Sequence, residues 1–173
     1  PSGPLKGIKR SLTDGGIRVP FLAWWPGHVR PGSTNGHVGY FGDWMATAAE
    51  LATARPPAHS DSLSFAPTLF GHDGDQAEHE FLYWEFHEQG SKQAVRMGDW
   101  KAIRLAPGKP LELYNLKTDL AETTDVAAEH PKVIAKIEEY LLTARTESER
   151  WPIRTREEAA ADAKARKPEK EVN

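Results

Sequence analysis

The chain has 173 residues, a net charge of -3, 39% hydrophobic residues and no cysteine. Without cysteine there can be no disulfide, no thiol nucleophile and no Cys-ligated zinc, and a mildly acidic balance leaves no electrostatic footprint for nucleic acid. No apolar run approaches the roughly 18 residues that a membrane helix needs, so neither nucleic acid nor membrane is an expected partner, while six Trp argue for at least one packed core.

In chain order, the first informative stretch is KRSLTDGGIRVPFLAWWPG, from Lys9 to Gly27. The Gly15-Gly16 pair permits a close backbone approach, so Lys9 and Asp14 belong to a shaped loop. The apolar run that begins at Val19 and ends at Trp25 reads as a strand covered on both faces, the kind found in an α/β layer. Arg18, placed between the glycines and that run, calls for a buried partner and reads as structural.

Asp43 can cap a helix whose Phe41, Trp44, Met45, Ala48, Leu51 and Ala52 recur at helical spacing, which predicts one apolar stripe against a sheet. A connecting segment follows, with a domain boundary near residues 75 to 80. His72, Asp73, Asp75 and His79 lack the framework of a metal loop and read as a solvated connection.

From Phe81 the period changes to two. Leu82, Trp84 and Phe86 share one face, and Phe81, Tyr83, Glu85 and His87 the other. Two further strands flank Gly98-Asp99, which suits a type II′ turn, and another runs from Leu111 to Tyr114. Pro131 opens a helix with Val133, Ile134, Ile137, Tyr140, Leu141 and Ala144 on one side, long enough to cover this meander. Pro152 marks the expected end of the ordered part, and residues 153–173 read as a charged flexible tail, either a frayed solvated helix or disordered.

The order of these segments carries a family resemblance. K-x-x-x-x-(E/D)-G-G-(I/V)-R-x-P, an apolar run and W-P-G resemble the sulfatase family of the alkaline-phosphatase-like α/β superfamily; Asp14 stands where Glu is commoner. HVGYFGDWMATAAELA, SDSLSFAPTLFG, FLYWEF, QAVRMGDWKAIR and LELYNLKTDLAE are similar to later sulfatase segments, so that the likeness runs from about Leu5 to Leu142.

The fold implied is an α/β fragment plus an α+β part. The last strand and helix of an alkaline-phosphatase-like sheet would occupy residues 1–75. A four-stranded antiparallel sheet covered by a C-terminal helix would occupy residues 76–152. The C/S-x-P-x-R signature that yields formylglycine does not occur in this sequence. The resemblance therefore implies the C-terminal portion of a sulfatase, with calcium, formylglycine and the nucleophile in a preceding part and no cofactor of its own.

Lys9 matches the lysine that contacts the sulfate group in sulfatases. A compact ammonium on a flexible stem suits charge developing on sulfate oxygens and on the leaving oxygen. By the same resemblance His87, Glu88 and Gln93 lie in loops that face the substrate, a sulfated carbohydrate or aryl sulfate. For His87 an ordinary exposed loop histidine is the competing reading.

Three functions stay open from sequence: the sulfatase portion, a related phosphonate or phosphodiester hydrolase, and a non-enzymatic carbohydrate-binding module. The expected partner is the N-terminal sulfatase domain; without it, the segment from Val19 to Trp25 is expected to self-associate or lose order. Compartment is not fixed by the absence of cysteine, although many sulfatases are exported.

Overall fold

The computed structural model describes residues 3–165. They form two compact units, one of Pro1–Arg18 with Phe81–Asn173 and one of Val19–Glu80. Division by position along the chain does not anticipate this, because the lysine loop returns to the later meander.

The centre of the first unit is an antiparallel meander of β1 (Leu82–Phe86), β2 (Lys92–Met97), β3 (Trp100–Arg104) and β4 (Glu112–Asn115). Gly98 takes φ 58° between β2 and β3, where a side chain would be strained, and the tight turn fixes the pairing of Met97 with Trp100. That register aligns Tyr83, Val95, Ala102 and Leu113 across one face. Against them packs α4 (Pro131–Leu141), through Val133, Ile134, Ile137, Tyr140 and Leu141, with Phe81 and Tyr140 stacked at 4.1 Å.

The opposite face aligns Trp84, Ala94 and Ile103 and is covered by Leu12 and Ile17, from the loop and from the one-turn helix α1 (Asp14–Ile17). The meander is thus closed on both sides, by a helix that follows it and by a segment that precedes it by some 65 residues.

Three expectations are corrected here. Residues 19–25 form no strand, because among the described residues no strand lies beside them, and a lone extended segment has nothing to pair with. Leu22 and Trp24 are accordingly 94% and 88% exposed. The ordered part does not end at Pro152 either: Ser91 N–H donates to Arg154 O at 2.7 Å and Arg154 N–H to Ser91 Oγ at 2.9 Å, after which α5 (Arg156–Ala165) forms with no buried residue, in line with the solvated-helix reading of the tail. The remainder of the charged tail lies outside the described residues.

The third correction concerns α2 (Asp43–Leu51) in the second unit, which also contains α3 (Ala66–Phe70). The apolar stripe is not the buried face; Phe41, Trp44 and Met45 are exposed while Asp43, Ala46 and Thr47 are buried. Hydrogen bonding decides this orientation. Asp43 accepts from the N–H groups of Tyr40 and Leu63, both at 2.9 Å, and lies 2.8 Å from His79 Nε2. Thr47 Oγ1 accepts from Phe65 N–H at 3.0 Å. His79 is therefore bound to a buried carboxylate rather than solvated.

Ile137 is fully buried at the centre of the α4 contact. Ile137→Ala is expected to cost roughly 2–5 kcal/mol of unfolding free energy, read from urea denaturation at constant slope.

Candidate functional site

Residues 6–16 form a closed loop at the surface of the first unit. Lys6 O accepts both Gly15 N–H at 2.8 Å and Thr13 Oγ1–H at 2.7 Å, Ser11 N–H donates to Ile8 O at 2.9 Å, and Gly16 N–H to Thr13 O at 2.8 Å. A Cβ on Gly15 would collide with the Lys6 and Gly7 carbonyls and one on Gly16 with the Ser11 carbonyl, which is why the loop needs that pair.

At the outer end, Lys9 is exposed and, among the described residues, no partner holds its ammonium. Arg10, in the left-handed region at φ 79°, turns back to pair with Glu88 at 2.8 Å.

The inner end of the loop is fastened by charge. Lys101, on β3, is fully buried, and its Nζ donates to Asp14 Oδ1 at 2.5 Å. Glu122, also fully buried and held at φ 52°, accepts Asp14 N–H on Oε2 at 2.6 Å. Its Oε1 lies 3.4 Å from Lys101 Nζ, the separation of an ion pair without an aligned hydrogen bond. Lys6 Nζ adds a donor to Glu122 O at 2.8 Å and lies 5.0 Å over the Tyr114 ring.

Two carboxylates thus share one ammonium away from water. Burial pushes Glu122 above the ordinary carboxylate range, with Asp14 N–H and Lys101 opposing it in part. Arg18 pairs with Asp14 at 3.8 Å but is half exposed, so the buried partner expected for it belongs instead to Lys101.

A second polar cluster lies at the β1–β2 end. Gln93 donates from Nε2 to Tyr83 OH at 3.0 Å and accepts from Arg104 Nη1 at 3.2 Å, so both ends of its amide are engaged. Tyr83 OH donates to Glu85 Oε2 at 2.8 Å, which also accepts from Arg145 Nε at 2.9 Å. Burial raises Glu85, yet its bonds from Tyr83, His87 and Arg145 outweigh that and hold it below its ordinary value. Tyr83 is pushed up to about 12, by burial first and by Glu85 beside it.

His87 faces into this cluster rather than into solvent. Its Nδ1 lies 3.0 Å from Ser91 Oγ, its Nε2 3.0 Å from Glu85 Oε1, and the Trp151 ring 5.7 Å away. Ser91, His87 and Glu85 follow the order of nucleophile, base and orienting carboxylate, but Ser91 is 3% exposed and its Oγ is taken by Arg154 N–H, which denies a substrate access. Of the three substrate-facing residues expected from sequence, Glu88 stands on the surface beside the lysine loop, while His87 and Gln93 brace the turn behind it.

Neither group implied for catalysis fits these residues. Among the described residues no set of three or more His, Asp or Glu side chains could hold a metal ion, and the sequence has no C/S-x-P-x-R segment from which formylglycine could form.

Comparison with known proteins now fixes the class. Residues 8–147 match the family described as N-sulphoglucosamine sulphohydrolase, C-terminal. The chain belongs to this family and is a sulfatase C-terminal domain. An N-acetylgalactosamine-6-O-sulfatase of Bacteroides thetaiotaomicron is 27% identical over 159 residues, 84% of this chain and 31% of that protein. Arylsulfatase G of Canis lupus familiaris is 32% identical, over 77% of this chain and 29% of its own length. The crystal structure of Ps i-CgsB superposes with a TM-score of 0.72 at 28% identity, covering 95% of this chain and 37% of that one. The chain therefore spans about a third of the length of the relatives it matches.

The sequence reading missed Lys101 and Glu122. A signal existed for the lysine: period two places it on the same face as Ile103, where an ammonium needs a carboxylate.

Because Glu122 is raised in the folded state, folding retains a proton that the unfolded chain gives up. The resulting stability is full below the ordinary carboxylate range and is lost as pH rises through the raised folded value. Glu122→Gln is expected to flatten this fall when unfolding free energy is measured from pH 4 to 8; an unchanged slope would contradict the assignment.

Proposed function

We propose that this chain is the C-terminal portion of a sulfatase acting on sugar or aryl sulfates, and that Lys9 contacts the sulfate while Glu88, backed by His87 and Gln93, faces the substrate. The observation that carries the reading is an exposed ammonium that has no partner among the described residues, on a closed loop of which residues 8–16 fall within the family match. Relatives are N-acetylgalactosamine-6-sulfatases, and Ps i-CgsB is known in complex with a neocarrahexaose, which supports a carbohydrate substrate over an unrelated ester.

In this reading Lys9 neutralises charge on the non-bridging oxygens and on the leaving oxygen as the S–O bond lengthens. Among the described residues its ammonium has no competing partner, so its three donors can follow that charge without first breaking an ion pair there. Calcium and formylglycine belong to the partner segment, the N-terminal sulfatase domain. When bound, they supply the Lewis acid and the nucleophile.

Two outcomes test this. The chain by itself is expected not to hydrolyse a chromogenic aryl sulfate, and joined to the catalytic portion it is expected to support turnover that Lys9→Met lowers on the order of 10²-fold. Turnover by the purified chain alone, or an assembled enzyme indifferent to Lys9→Met, would contradict the proposal.

The same reading explains the apolar surface of the second unit. Leu22, Trp24 and Phe41 are each more than four-fifths exposed, surface that suits an N-terminal sulfatase domain or, without one, a second copy. Sedimentation is expected to show association at high concentration that Leu22→Asp with Trp24→Asp abolishes; a monomer throughout would count against it.

A further inference from the structure

The lysine loop could have been tied to the meander by apolar contacts alone, and in part it is, through Leu12 and Ile17. Instead its base is fixed by three buried ionic groups that come from distant parts of the chain: Asp14 at the loop, Lys101 near the start of β3 and Glu122 in the segment after β4. A buried ion cluster is a poor source of net stability, since well-packed apolar residues often do as well, but it tolerates only one geometry. Here that geometry is specified at both the side chain and the backbone N–H of Asp14, so the residue can neither slide nor rotate without stranding a buried charge.

The loop is fastened at a second point by the pair of Arg10 with Glu88. Lys9 lies beside the second of these, exposed and, among the described residues, without a partner.

We infer that Lys101, Asp14 and Glu122 are positioning residues for Lys9: the buried cluster holds the 6–16 loop in the one shape that presents that ammonium to the sulfate group. The inference rests on the reading of Lys9 given above and assigns to Lys101 and Glu122 a role in that site although neither touches substrate. Lys101 acts through Asp14. Glu122 acts through the Asp14 amide and, by way of its own carbonyl, through Lys6.

Amide hydrogen exchange in the full chain tests the anchoring without reference to activity. Asp14→Asn, which keeps shape and removes charge, is expected to speed exchange at Ser11, Gly15 and Gly16 by about tenfold or more while the β2–β3 ladder keeps its protection. Glu122→Gln, whose side-chain oxygen still accepts the Asp14 N–H, is expected to leave those amides protected. Unchanged loop exchange in Asp14→Asn, or loop and ladder accelerating by the same factor, would overturn the inference; the second result would mean the cluster serves general stability only.

Turnover by the assembled enzyme tests the link to Lys9. Asp14→Asn is expected to lower kcat, and in a Lys9→Met background to lower it no further, since it acts through a side chain already removed. If Lys9→Met lowers kcat and Asp14→Asn does not, positioning is refuted while the role of Lys9 stands. If Lys9→Met itself has no effect, the reading of Lys9 falls, the link from cluster to site falls with it, and the exchange result alone decides what the cluster holds.

Discussion

An ammonium with no access to water has to be neutralised where it lies, and in this protein that requirement ties the two ends of the first unit together. Lys101 sits near the start of β3, and its partners Asp14 and Glu122 lie in segments separated by 108 residues of chain. If Asp14 moved, a buried lysine would be stranded; if Glu122 moved, the Asp14 amide would lose its acceptor. The cost of leaving such a charge unpaired is several kcal/mol, large against the total stability of an ordinary domain. The lysine loop is thereby joined to the sheet on which it rests.

The rest of the unit follows from that arrangement. A four-stranded meander needs cover on both faces, and α4 supplies one side with Ile137 and its neighbours. The other side is roofed by Leu12 and Ile17, which can sit there because the loop carrying them is held by the charge cluster. Exposure of Lys9 is the outward consequence. With the backbone of residues 6–16 closed on itself and Arg10 drawn to Glu88, its side chain faces solvent at the loop's outer end.

Much of this was legible in the sequence, for identifiable reasons. Period-two alternation from Phe81 gave the meander, Gly98-Asp99 its central turn, and Pro131 with the spacing of Val133, Ile134 and Ile137 the helix across it. What failed were inferences that depend on a neighbour. The run of residues 19–25 reads as a buried strand, yet a strand exists only where another chain segment offers hydrogen bonds, and none of the described residues does so. The helix of residues 43–51 reads as amphipathic about Trp44 and Met45, but Asp43 and Thr47 have backbone donors to satisfy and take the inner side. Buried charge was the hardest to see, because Lys101 and Glu122 look like surface residues until pairing brings them to Asp14.

The family match and the limited share of its relatives that this chain spans describe a sulfatase C-terminal domain. The most direct measurement is of the Lys101 ammonium itself, by proton–nitrogen correlation NMR of the lysine side chains in the folded chain. A Lys101 ammonium signal that exchanges slowly with water and correlates with the Asp14 carboxylate carbon, beside a Lys9 signal broadened by rapid exchange, is the expected result. A Lys101 ammonium exchanging as fast as that of Lys9 would contradict the account, because the buried cluster on which the loop depends would not exist.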